Sequence, residues 1–427
     1  MNISKPWILT TAAVIVLSAA AGASIVIAKK QQDDHGDTRP LPGTYAHAPE
    51  LAWWLDVTSI SPDFDANSPL PVYATGENYV TSLIPHGGGL DRRSHLIGID
   101  PESGEVLWEQ QPDERLCSVS QDPAQVFCEG ELDRNQRRLT AYDSGTGAKI
   151  GTAAFEGDEL EFVFLNGILY SCYSTEDSVV IQAGTIEDPD LAWRQTIASS
   201  LPSPCDLHVN SVGATASFAD MSDDMYRSVA VSTEGQIVVD KPGGMAYPGG
   251  ERVFRIVDME SDESHVYDAT GVELFTYSDS YNDDVAIISD NDGQELLIDA
   301  SGVVREMNTG EILWTYRKPD DAYTTIGRIG DVAMISEGSL TLRAFLADSG
   351  EELWNRSLHD IGGDQSRLSA TDTETAIFTN SRQGGSVAID LSEGKVLWRT
   401  EVENGISAVN RNTFISVEGS VITAYRF

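Results

Sequence analysis

The feature that most limits how this chain can fold is a motif that keeps returning. The copies are LIGIDPESGEVLW ending at Trp108, LTAYDSGTGAKIG ending at Gly151, VREMNTGEILW ending at Trp314, LRAFLADSGEELW ending at Trp354 and SVAIDLSEGKVLW ending at Trp398. Weaker copies end at Trp193 (VVIQAGTIEDPDLAW), Val239 (VAVSTEGQIVV) and Phe275 (HVYDATGVELF). The spacing stays near 40 residues, and a steady period in that range marks a repeat architecture rather than a string of unrelated domains.

Each unit breaks into four short runs that are alternating or β-branched, punctuated by turn residues. Residues 323–358 read YTTIGRIG, DVAMISEG, LTLRAFLADSG and EELWNRSL in turn. Four antiparallel strands per unit of about 40–45 residues predict an all-β chain, a β-propeller of four-stranded blades. The unit ends give eight blades. The last segment, 405–427, supplies three more strands, and PELAWWLDVT near the start supplies a fourth. Pairing of strand 49–58 with 405–427 would close the ring and hide its open edges. That makes nine candidate repeats. The expectation is eight blades, with one weak copy among 194–275 not forming a blade; nine, an unusually wide ring, is held open.

The motif has a physical logic. Its acidic residue can bond the turn's own N–H groups, and its glycine supplies a positive φ that other residues resist. The turn glycines fall at Gly104, Gly147, Gly235, Gly271, Gly310, Gly350 and Gly394, with none near Asp188 where the third copy should have one. The terminal tryptophan is expected to fill the wedge where neighbouring blades diverge. Trp54, Trp108, Trp193, Trp314, Trp354 and Trp398 are the expected blade tryptophans.

The N-terminus divides into a short tail (1–6), an apolar segment (7–28) and a polar linker (29–44), ahead of a single propeller over 45–427. Residues 7–28 carry no charge. As a helix they would span about 33 Å, close to a bilayer core of about 30 Å. They are expected to be a single-pass anchor or uncleaved signal, with the propeller outside the cytoplasm; a cleavable signal, for which AAAGA offers a small-residue site, is the competing reading. No cysteine precedes Cys117, so the sequence offers no N-terminal cysteine for lipid attachment. All four cysteines lie within the propeller, where the strand reading pairs Cys117 with Cys128 and Cys172 with Cys205. Four free thiols are the alternative.

The net charge is -39, with 28 basic against 67 acidic residues. Such a surface repels phosphates and anionic lipids, which argues against nucleic acid as a partner. PHGGGL (85–90) resembles an oxyanion-hole sequence, but no GxSxG accompanies it. SDNDGQELLID (289–299) resembles a calcium loop, but Ile288 occupies the first ligand position. The seven histidines have no metal-ligand spacing. No catalytic, cofactor or metal residue emerges.

Ala388, Asp390, Gly394 and Trp398, and likewise Asp100, Gly104 and Trp108, match the consensus of the pyrroloquinoline quinone (PQQ)-like repeat. The chain resembles that quinoprotein-type propeller family over residues 45–427. The resemblance implies two branches. Quinoprotein dehydrogenases hold the quinone on the propeller axis with calcium, a stacking tryptophan and a disulfide between adjacent cysteines, and no Cys-Cys pair occurs here. The other branch is non-catalytic and includes a lipoprotein of outer-membrane protein assembly and membrane-tethered exported proteins. This chain looks like the second branch. The expectation is therefore a non-enzymatic binding or scaffold protein with a protein partner in the cell envelope and no cofactor. A PQQ-dependent oxidoreductase and an envelope ligand sensor are the alternatives.

Overall fold

The computed structural model describes residues 44–427 apart from 61–71, 76–77, 84–94, 115, 120–124, 134–135, 158, 201–202, 221–224, 248, 279–285, 290–294, 300, 317–322, 338–340, 362–365, 373, 381–384, 401–407 and 411. The expected anchor at 7–28, the tail before it and nearly all of the linker lie outside the described residues, as does PHGGGL. No helix among the described residues is long and apolar enough to cross a membrane.

Short alternating strands joined by tight turns pair only with their chain neighbours, so the propeller builds up one blade at a time. Among the described residues the strands form nine four-stranded antiparallel sheets. Blades 1 to 8 span 73–110, 116–156, 160–198, 206–242, 244–278, 286–315, 323–357 and 366–400, and blade 9 combines 408–426 with 50–56. The first strands of neighbouring blades approach one another and form the inner wall. A one-turn helix, α1 (Leu358–Ile361), links blade 7 to blade 8.

Among the described residues, nine apolar clusters match the nine seams between blades. Phe127 and Phe155 of blade 2 pack with Phe164 of blade 3, and Ile298 of blade 6 packs with Phe345 of blade 7. Ile97 of blade 1 packs with Ile415 of blade 9, so the last blade meets the first and the ring closes. The expected eight blades are corrected to nine. Both weak copies within 194–275 form complete blades, 4 and 5. They lack the tryptophan but keep Gly235 and Gly271, each in a positive-φ turn with φ near 80°. Turns and strand alternation make a blade, and the tryptophan is an addition to it.

In blade 9 the N-terminal strand Glu50–Asp56 pairs antiparallel with Val421–Arg426, as the outer strand. No chain turn links those two strands, because one is N-terminal and the other C-terminal. The 3-10 turn Thr44–Ala46, ahead of the N-terminal strand, packs at the seam between blades 8 and 9. Buried Tyr45 accepts the Trp398 indole N–H at its carbonyl, 2.7 Å away. Its own N–H donates to Asp372 Oδ2 at 2.9 Å, and its ring lies 4.5 Å from that of Phe427.

Candidate functional site

The repeated residues pin each blade to the next. The Trp354 indole N–H donates to the Leu391 carbonyl in the following blade's turn at 2.7 Å. A Cβ on Gly394 would sit 2.5 Å from that indole, so glycine is needed for the ring to lie on the turn. Trp108 repeats the arrangement on Ser144 and Gly147. Trp193 does so on Thr233 and Gly235, and Trp314 on Ala347 and Gly350. Phe275 lies against Gly310, while Gly271 closes on the Val238 backbone.

Trp54 does not take the expected role. Trp53 is the blade tryptophan, 7% exposed against 65% for Trp54. Its N–H donates to the Pro101 carbonyl at 2.9 Å, over Gly104. The cause is a bulge between Leu51 and Trp53, because one extra residue shifts which side chains face inward. The same irregularity recurs one residue before the aromatic position in blade 1 at Gly98/Ile99, in blade 7 at Ala344/Phe345 and in blade 8 at Ala388/Ile389.

The seam between blades 2 and 3 reverses the lock. Blade 2 ends its motif in Gly151, and blade 3 has no turn glycine. Its Ile186 and Glu187 come forward instead, 2.9 Å and 3.3 Å from where a Gly151 Cβ would be. The bulky group has changed sides and the contact remains.

The turn acids act locally. Asp100 Oδ1 accepts the N–H groups of Glu102 and Ser103, both at 2.8 Å. The Ser103 N–H holds its carboxyl below the usual range, and the Thr270 hydroxyl does the same for Asp268. Asp299, from the calcium-like sequence, bonds the N–H groups of Ser301 and Val303.

What the copies do not share collects at one end of blades 2 to 4. Glu129 lies in the second strand of blade 2, Glu161 in the first strand of blade 3 and Asp206 at the start of blade 4. Water withdrawn by neighbouring strands pushes the Glu161 carboxyl up, and the charges of Asp206, Glu129 and Glu159 add to the rise. Glu129 is raised by burial, which outweighs Arg137; Glu131 and Glu159 add to it.

Both disulfides brace these strands. Cys117 and Cys128 are opposite partners within blade 2, and Glu129 follows Cys128. Cys172 is the register partner of Glu161. Its bond to Cys205 staples blade 3 to blade 4, and Asp206 follows Cys205. The signal for this patch was present as Cys-Glu and Cys-Asp pairs, but it carries meaning only once the strands are side by side. Arg137 lies 3.8 Å from Glu129 and His208 lies 3.6 Å from Asp206, and the rise at Glu161 is the repulsion that a further cation would relieve.

Among the described residues, the tryptophans and cysteines do not fit the arrangement expected around a quinone. Trp53, Trp108, Trp193, Trp314, Trp354 and Trp398 each commit the indole N–H to a neighbouring carbonyl. Trp54 points outward from an outer strand. Each of the four cysteines pairs with one distant in sequence. His95, His208 and His265 are each paired with a carboxylate, and no group of three metal-ligating side chains occurs among the described residues.

A family model described as outer membrane protein assembly factor BamB matches residues 190–410, just over half of the chain. The chain belongs to this family. That match begins in blade 3 and runs into blade 9, so it crosses the two blades with weak motifs. Among solved structures, BamB from Moraxella catarrhalis is 14% identical, with 89% of this chain and 100% of that one covered at a TM-score of 0.45. The computationally designed Ika8 protein is 13% identical, covering 86% and 98% at 0.47. Apo AztD from Citrobacter koseri is 12% identical, covering 78% and 95% at 0.42. No curated protein matches the sequence.

Proposed function

We propose that this BamB-family propeller is a membrane-tethered, extracytoplasmic, non-catalytic protein that binds a basic segment of an envelope protein at the acidic end of blades 2 to 4. The observation that carries this reading is the disulfide-braced group Glu129, Glu161 and Asp206. Two disulfides also support an oxidising compartment, and the charge-free segment 7–28 supports tethering. The family description, an assembly factor, supports a role through protein contacts.

The test is chemical crosslinking of the full chain in its native membranes, followed by mass spectrometry. The expected result is a partner whose crosslinked peptide is rich in lysine and arginine, lost in the triple variant E129Q/E161Q/D206N. A partner captured equally by the triple variant would contradict the site. Stoichiometric binding of the quinone with calcium, coupled to dye reduction, would contradict the non-catalytic reading.

A further inference from the structure

Among the described residues, no aromatic ring of blade 4 docks on the blade 5 turn. Blade 4 offers Val239 at that position, and Gly271 closes on the Val238 backbone. A polar contact bridges the outer half of this seam. Lys241, in the outer strand of blade 4 (Ile237–Pro242), places Nζ 2.9 Å from Nε2 of His265 in the third strand of blade 5 (Glu263–Tyr267). The same ammonium lies 3.1 Å from Asp258 Oδ2. His265 Nδ1 lies 2.9 Å from Glu273 Oε2 in the outer strand of blade 5. The imidazole stacks on Tyr267 with an interplanar angle of 18°.

The donors and acceptors fix the proton. An ammonium only donates, so Nε2 must accept, and Nδ1 then carries the proton that it donates to Glu273. The contact therefore needs a neutral imidazole in one tautomer. We propose that Lys241 and His265 form a pH-operated clasp between blades 4 and 5, closed while His265 is neutral and released when it takes a second proton. The protonated ring would present an N–H to an ammonium, so no hydrogen bond can join them, and the two cations repel. Lys241 keeps Asp258, and His265 keeps Glu273.

The other charged or titratable groups around the contact do not supply the switch. Arg227 and Asp240 of blade 4 are engaged with each other at 2.7 Å. Burial, followed by the charges of Glu273 and Asp258, pushes the Tyr267 hydroxyl up to about 12. Asp258 sits below its usual range, since the Glu260 N–H and Lys241 outweigh the effect of burial. Histidine is the side chain whose ordinary titration falls between about pH 5 and 8.

The test uses the full chain in detergent. Nitrogen NMR of labelled histidine should report the Nδ1–H tautomer for His265 at pH 7.5. Hydrogen exchange, corrected for intrinsic rates, should lose about tenfold protection in 237–242 on moving to pH 5.5. That loss corresponds to about 1.4 kcal/mol, just under the low end of the range for a hydrogen bond to a charged group. H265Q retains an acceptor and a donor but cannot gain the proton, so its protection should not change between the two pH values. K241M should show the low protection at both. An Nε2–H tautomer at pH 7.5, or the same pH response in wild type, H265Q and K241M, would overturn the proposal.

Discussion

Trp53 and Trp54 are adjacent in sequence and opposite in role, which makes them a controlled comparison. Trp53 is 7% exposed, lies on Gly104 and donates to the Pro101 carbonyl. Trp53→Ala removes an indole that buries about 150–250 Å², which at about 25 cal/mol per Å² is worth about 4–6 kcal/mol as an upper bound. Measured aromatic-to-alanine losses in cores run about 3–5 kcal/mol, so about 4 kcal/mol is expected. Trp53→Phe keeps most of the packing and forfeits the bond to Pro101, at about 1 kcal/mol. Trp54→Ala removes a side chain that is 65% exposed and should stay within about 0.5 kcal/mol of wild type. Urea unfolding followed by far-UV circular dichroism measures all three. With a slope of about 3 kcal/mol per M, Trp53→Ala should lower the midpoint by about 1.3 M while Trp54→Ala leaves it in place. Equal shifts for the two alanine variants would refute the bulge-set alternation and the docking of each blade on the next.

The reversed seam predicts that Gly151→Trp is destabilising by itself, because Ile186 and Glu187 occupy the space. Adding Ile186→Gly should recover at least about 1 kcal/mol of that loss in a double-mutant cycle, whereas simple additivity would mean the two do not share a site. Replacing Cys172 and Cys205 together by serine opens a 33-residue link between blades 3 and 4, and should cost about 3–4 kcal/mol in thermal or urea unfolding. The raised carboxyl of Glu161 means its folded form holds a proton more readily than the unfolded chain does. Its contribution to stability is therefore present at low pH and lost as pH rises through the raised value. Glu161→Gln should raise the unfolding temperature at pH 7 and leave it nearly unchanged at pH 4, and a variant less stable than wild type at pH 7 would contradict the crowding of charges.

The blades were legible because their signals are local. A turn aspartate and a glycine two to four residues later recur with the strand alternation, and both act within a few residues of themselves. Nine candidate repeats are visible in the sequence, but the usual size range of propellers favours eight; the units ending at Val239 and Phe275 show that a turn glycine and strand alternation make a blade without the tryptophan. Which of Trp53 and Trp54 turns inward is set by the bulge between Leu51 and Trp53, because one inserted residue inverts a period of two. The cysteine pairs followed from which strands face each other. The carboxylate group did not, because Glu129, Glu161 and Asp206 belong to three blades and become neighbours only when the ring is assembled. Among 67 acidic residues nothing in the sequence distinguishes these three.

The central functional claim is that a partner is held at that assembled acidic end rather than at the repeated turns. The most direct measurement places a photo-crosslinking amino acid at position 161 in one full-length variant and at position 102, in the blade 1 turn, in another. Both are expressed in native membranes and irradiated. The account predicts a specific adduct from position 161, weakened by E129Q/D206N and by added salt, and none from position 102. An adduct from position 102 with none from position 161 would contradict it.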